Sequence, residues 1–227
     1  MNTELIVVLD VDTQEEAMAI VSACGDCRWF KIGSQLFTRC GPGIVNLIQE
    51  QGKKVMLDLK FHDIPNTVNH AVQAAVDLGV SMLTLHAGGG RDMIEAAKRA
   101  TEKSPTRLLA VTVLTSLNED MLRNEVGIAE SPAETVERWA RMAIDAGAHG
   151  IVCSAQEITF VREAIGTEPM VVTPGIRPTW ASADDQQRIT TPKDASNAGA
   201  SHIVVGRPIL KHENPAEAVR LILEELA

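Results

Sequence analysis

Eight strand-and-helix units closed into a (β/α)8, or TIM, barrel are the α/β architecture this sequence predicts, and three observations carry the prediction. Short apolar runs alternate with helical patterns along nearly the whole 227-residue chain, which leaves a closed barrel or a doubly wound open sheet as the main choices. Eight such units suit the barrel at this length, since single barrels run to ~250 residues. No strand candidate is followed by G-x-G-x-x-G, and Gly88-Gly89-Gly90 lacks that spacing, so a dinucleotide-binding sheet has no support. No linker, internal repeat or low-complexity tract divides the chain. One barrel domain over residues 1–227 is expected.

The strand candidates are residues 5–10, 28–32, 54–58, 81–85, 107–113, 150–153, 169–173 and 202–205. Several end on a polar or charged residue, as barrel strands do when they present chemistry at their C-terminal ends. The helices between them carry start signals. Thr13 with Glu16 and Ser131 with Glu134 read as capping boxes, while Pro132 and Asn214-Pro215 suit first helical turns. Each helix then shows an apolar stripe of helical period: Ala17, Ile20, Val21 and Cys24; Val68, Val72 and Val76; Val136, Trp139, Ala140, Ala143 and Ile144; Val219, Ile222 and Leu223. Such helices cover a sheet on one side and face water on the other. Between residue 173 and the helix expected near Pro192, the chain runs without periodicity. A connection beyond ~12–15 residues is commonly a lid or a binding loop, and this one, residues 174–190, carries Arg177, Gln186, Gln187 and Arg188.

Composition narrows the function. A formal charge of -9 opposes a nucleic-acid or anionic-membrane surface, which needs a basic face. No run approaches ~18 apolar residues, so no transmembrane helix is expected. The N-terminus lacks a signal peptide's basic start and apolar core, which makes the cytoplasm the default. Cys24 and Cys27 have redox-motif spacing but fall at a helix end, whereas a reactive dithiol wants a helix N-terminus. Cys40 and Cys153 supply no second pair for a zinc site.

The chemistry concentrates at strand ends. The run Asp58-Leu59-Lys60-Phe61-His62-Asp63-Ile64-Pro65-Asn66-Thr67 puts three charged groups within six positions. Residues two apart on a strand share a face, so Asp58 and Lys60 project together, while Asp63 lies on the loop beyond. Two readings stand side by side: an ordinary structural ion pair, or an ammonium held charged by carboxylates as a proton donor. Asp10 closes the first strand, Lys31 belongs to the second, His86 follows the fourth, and Thr115-Ser116 follows the fifth. His86 and His62 are explained as a hydrogen-bonded strand-end residue and a loop residue. After the eighth strand, Gly206 permits close backbone approach at a helix start and Arg207 adds a fork matched to phosphate oxygens.

Taken together, these segments resemble the orotidine 5′-phosphate decarboxylase family in its bacterial form. The likeness rests on Leu9-Asp10, Phe30-Lys31-Ile32-Gly33, the run from Asp58 to Thr67, Leu114-Thr115-Ser116, Thr173-Pro174-Gly175-Ile176-Arg177 and Val205-Gly206-Arg207-Pro208-Ile209. D-x-K-x-x-D alone is shared with sugar-phosphate relatives; the continuation through Ile64-Pro65-Asn66-Thr67, with lysine at position 31, is more specific.

The resemblance implies a cofactor-free, metal-free lyase that converts orotidine 5′-phosphate to UMP and CO2 in pyrimidine synthesis. It implies a homodimer whose sites lie at the subunit interface. Lys31, Asp58 and Lys60 would act within one subunit, with Asp63 and Thr67 reaching in from the other and Ile64 among the substrate contacts. Asp10 and Lys31 would hold the ribose, and Ser116 with Thr115 the pyrimidine. Arg177, Gln186, Gly206 and Arg207 would hold the phosphate under a closing lid. The alternatives are a metal-dependent ketose-phosphate decarboxylase or aldolase of the same suprafamily, and a phosphate-ligand-binding barrel without catalysis.

Overall fold

The eight strands are β1 (Glu4–Val8), β2 (Trp29–Gly33), β3 (Lys54–Phe61), β4 (Met82–His86), β5 (Arg107–Val111), β6 (Gly150–Val152), β7 (Met170–Thr173) and β8 (His202–Val205). Each pairs in parallel with the next, and β8 returns to β1 from Glu4↔His202 to Val7↔Val205, which closes the barrel. This is a computed structural model that describes residues 3–181 and 190–227. Parallel strands need crossover connections, and helices supply them on the outside, as the alternating sequence pattern requires.

Period-two alternation sorts the strand side chains into two cores. One set, including Ile6, Val8, Met56, Met82, Leu109, Val111 and Val172, fills the barrel interior. The other set, including Leu5, Val7, Phe30, Ile32, Val55, Leu57, Leu83 and Leu85, faces outward beneath the helices. The same parity matters for the site: Lys31, Asp58 and Thr84 stand two residues beyond the inward Trp29, Met56 and Met82. They therefore form the next interior layer toward the C-terminal mouth.

The helices begin where their caps dictate. Both expected capping boxes are present, at Thr13 with Glu16 and Ser131 with Glu134, and two more occur at Ser154 with Glu157 and Thr191 with Asp194. The apolar stripes mostly turn inward, with Ala17, Val21, Val68, Val72, Val136, Ala140, Val219 and Ile222 buried. Leu223 departs from its stripe and is exposed, because it lies at the edge of the face that the last helix, Pro215–Leu226, presents to the barrel.

Strand ends differ from expectation in two places that concern function. β1 stops at Val8, so Asp10 sits on the loop beyond it, and β3 continues past Asp58 to Phe61. At the opposite end of the barrel, Cys24 closes the first helix, Gln14–Ala23, and Cys27 precedes β2. Both thiols are buried and free, and burial pushes each up to about 11. A thiol so hard to ionise is a poor nucleophile.

Candidate active site

Four side chains of alternating sign line up at the C-terminal mouth. Lys31 Nζ stands 3.3 Å from Asp10 Oδ1 and 3.4 Å from Asp58 Oδ2. Lys60 Nζ lies 2.9 Å from both Asp58 oxygens. The order is Asp10, Lys31, Asp58, Lys60, with the two inner groups nearly enclosed and the two outer ones open to the mouth. Burying charge is costly unless it is paired, and here each inner charge has an opposite on either side.

Burial by itself would push the Asp58 carboxyl up. The Lys31 and Lys60 ammonium groups, together with hydrogen bonds from Lys60 and Thr84, outweigh it and hold that carboxyl below the ordinary range. Asp58 therefore stays an anion across neutral pH.

Two neighbours that sequence reading passes over make this geometry possible. Thr84, fully buried on β4, donates its hydroxyl proton to Asp58 Oδ1 at 2.9 Å. Threonine in a strand is an ordinary strand former, so only the fold singles it out. Gly33 ends β2 beside the ion pair, and a Cβ there would fall 2.9 Å from Lys31 Nζ and 3.2 Å from Asp10 Oδ1. Glycine keeps that corner open.

The array borders a cavity of about 230 Å³. Lys31, Asp58 and Lys60 form its charged side; Met56, Val111, Val113, Val152 and Val204 form an apolar side, and Thr115 and Pro174 stand at the rim. This is a small, largely apolar chamber with a few convergent charges, the usual form of a small-molecule site. Thr115 is among the residues that line the cavity and Ser116 is not, although both are exposed at this turn.

Two of the anion-binding candidates, Arg177 and Arg207, line a different cavity. Arg177 is buried, donates from Nη1 to Ile176 O at 3.1 Å, and is held by its own N–H bonding to Thr190 O at 3.0 Å. With Arg207, Lys211 and His212 it lines a second cavity of about 340 Å³, closed on one side by Trp180. Arg207 opens the short helix Arg207–Leu210, whose cap is Gly206. A Cβ on Gly206 would come 3.2 Å from Val8 Cβ, so the chain passes close to β1 there. Gln186, like the neighbouring Gln187 and Arg188, lies outside the described residues.

Asp63, Ile64 and Thr67 are not drawn into this mouth by their own chain's ion pairs. Asp63 Oδ1 accepts the Ile64 N–H at 2.6 Å, Ile64 is 67% exposed, and Thr67 is exposed on the first turn of the helix Pro65–Asp77. His86 accepts the Gly88 N–H at 3.1 Å, stacks on His62 and meets Trp139 edge-on. Burial, then His62 and Lys60, lower its basicity. Among the described residues, no three His, Cys, Asp or Glu side chains converge as metal ligands would.

The chain is similar to known proteins along nearly its whole length. The chain is 49% identical over 231 residues to the orotidine 5′-phosphate decarboxylase of Heliobacterium modesticaldum, covering 98% of this chain and 95% of that one. It is 47% identical over 228 residues to the enzyme of the same name from Saccharophagus degradans, covering 99% and 95%. The crystal structure of orotidine 5′-phosphate decarboxylase from Lactobacillus acidophilus superposes with a TM-score of 0.88 at 41% identity, covering 99% of both chains. The family model described as Orotidine 5′-phosphate decarboxylase / HUMPS family matches residues 3–222, and the chain belongs to that family.

Proposed function

We propose that this protein decarboxylates orotidine 5′-phosphate to UMP, and the observation that carries the reading is the Asp10–Lys31–Asp58–Lys60 array on the wall of a small apolar cavity. Loss of CO2 from C6 leaves a carbanion in the ring plane, with no conjugated sink. Catalysis of such a step falls to preorganised charge in a site poor in water. Lys60 is the group we assign to C6, first as the cation facing the developing carbanion and then as its proton source. Asp58 orients Lys60 from two oxygens, and Lys31 extends the alternating charges toward Asp10, which we assign to the ribose hydroxyls. The reading needs no cofactor.

Thr115, with Ser116 beside it, is assigned to the pyrimidine. Arg177, Gln186, Gly206 and Arg207 are assigned to the phosphate, with residues 174–190 as the segment that closes over it. Binding energy gathered at that remote end can assemble the charged site around the reacting carbon.

The active unit in this reading is a homodimer in the cytoplasm. Asp63, Ile64 and Thr67 would complete the neighbour's site, which suits their exposure beside the mouth. The free thiols of the four cysteines suit a reducing compartment. A protein that is fully active as a monomer would remove the shared-site assignment.

The decisive assay incubates the purified protein with orotidine 5′-phosphate and a chelator and follows loss of the orotate chromophore. Turnover that survives chelation is the expected result. Absence of turnover overturns the reading, and turnover that collapses with the chelator favours a metal-dependent reaction instead.

A further inference from the structure

β3 and β4 run in register through Met56↔Met82 and Leu57↔Leu83, then resume only at Phe61↔Leu85. Asp58, Leu59 and Lys60 therefore stand opposite a single residue, Thr84. Extra residues on one strand interrupt the ladder and re-aim side chains. The irregularity is visible at Lys60, which has φ +49°, the one positive φ outside glycine among the described residues. Lysine gains nothing locally from that conformation, so the surroundings must hold it there.

Thr84 closes the gap. Its Oγ1 accepts the Lys60 backbone N–H at 3.0 Å and donates to Asp58 Oδ1 at 2.9 Å. Asp58 in turn receives the Lys60 ammonium at 2.9 Å. One hydroxyl thus joins the backbone of Lys60 to the carboxylate that holds its side chain. The ring returns on itself: Lys60 N–H, Thr84 hydroxyl, Asp58 carboxylate, Lys60 ammonium. A residue that merely filled the strand would not need the oxygen, since valine has the same shape and suits a strand equally well.

We propose that Thr84 is a positioning residue for decarboxylation, its hydroxyl fixing both the strained backbone of Lys60 and the rotation of Asp58 so that the ammonium meets C6. The proposal rests on the reading of Lys60 as the group at C6. Small displacements of a reacting group are enough to lose large factors in rate.

The test compares wild type, Thr84→Val and Thr84→Ser with orotidine 5′-phosphate, from about pH 3 to about pH 9. Thr84→Val is expected to lower kcat about 10- to 100-fold with KM changed less than about threefold. The acid limb of its profile should move to higher pH, because Asp58 has lost a donor that favours its anion. Thr84→Ser should stay within about threefold of wild type, since it keeps the hydroxyl.

A valine variant with wild-type kinetics overturns the proposal, as does equal impairment of Val and Ser, which would make the methyl group the important part. Loss confined to KM overturns it as well. Should Thr84→Val fail to fold, Thr84→Ser against Thr84→Ala asks the same question, and equal activities of that pair overturn it. Wild type inert toward the substrate would bring down the functional reading and this inference together, whereas active wild type beside an equally active valine variant brings down this inference alone.

Discussion

The two ends of the barrel bury ionisable groups to similar depth and treat them in opposite ways. At the C-terminal mouth, Asp58 is enclosed but sits between two ammonium groups, and its charge is kept. At the N-terminal floor, His202 is buried against the edge of Trp29, whose indole N–H donates to Glu4 and whose ring carries Lys54 above it. Burial, helped by Lys54 and opposed by Glu4, pushes His202 down to about 4. His149 nearby accepts the Leu108 N–H at 2.9 Å and faces Lys98, and burial with Lys98 and Arg107 brings it to about 4 too. Desolvation is common to both ends; two close ammonium groups outweigh it at Asp58, whereas Glu4 fails to outweigh it at His202 and the charges beside His149 are cations that add to it. A charge kept by opposite neighbours is available for chemistry, and a group kept neutral only closes the barrel.

The largest consequence of this contrast concerns the mouth. Lys60→Ala removes the cation assigned to C6 while leaving the floor and the interior layers alone. Decarboxylation should fall by more than about 10³-fold in a protein that still folds, a loss at or beyond that seen when one preorganised charge-stabilising donor is removed. Steady-state kinetics with circular dichroism on the same sample check it. Substantial remaining activity would mean that the proton comes from another group.

Asp58→Asn imposes the floor's situation on the mouth, because it leaves two ammonium groups facing each other across a neutral amide. We expect kcat to drop by about 10²- to 10³-fold. The variant should also lose stability at neutral pH but not in strong acid. Asp58 has a folded-state carboxyl held below 3.8, so its contribution is present in full above the unfolded value and is lost as pH falls through the depressed one. Urea unfolding of wild type and variant at neutral and low pH reads the difference directly. Equal stability at both would detach Asp58 from the electrostatics assigned to it.

Arg207→Ala reaches the end assigned to the phosphate without touching the charge array. A hydrogen bond to a charged group is worth ~1.5–3 kcal/mol, which predicts KM raised about 10- to 100-fold and a smaller loss in kcat as closure is compromised. The product UMP should bind more weakly by a similar factor. Unchanged kinetics and unchanged product affinity would remove Arg207 from the site.

Much of this arrangement was legible in the residues, for identifiable reasons. Period-two alternation and capping boxes are local, and they placed eight strands and the helices Gln14–Ala23 and Pro132–Asp145 with small errors at the ends. The shared side of Asp58 and Lys60 was legible as well, although a regular strand is not what produces it. The two meet across an interrupted ladder with Lys60 at positive φ, a non-local feature that depends on β4. Thr84 and Gly33 were silent for the same cause, since their importance lies in what stands opposite them. Arg177 reads as a loop residue and is buried in the structure, because its loop folds back through Ile176↔Thr190. Ser116, which the resemblance assigns to the pyrimidine with the adjacent Thr115, is not among the residues that line the cavity, whereas Thr115 is; the two share one turn, closed by Leu117 N–H to Leu114 O.

The smallest effect is expected at the floor, where activity should not change at all. His202 titrates near 6.5 when unfolded and at about 4 when folded. Between those values the unfolded chain holds more protons, so stability rises with pH across the interval and is flat above it. A difference of this size corresponds to roughly 3 kcal/mol. Asp58 loses its contribution only below 3.8, so acidification should weaken the floor before the mouth. His202→Asn keeps a donor toward Ser201 Oγ, which His202 now meets at 3.1 Å, and removes the titration. Its unfolding free energy should therefore fall less steeply than that of wild type from about pH 6.5 to about pH 4, with His149 left to supply the remaining slope and kcat/KM at neutral pH unchanged. An identical slope in the two proteins would show that the buried imidazole at the floor is not what senses acid.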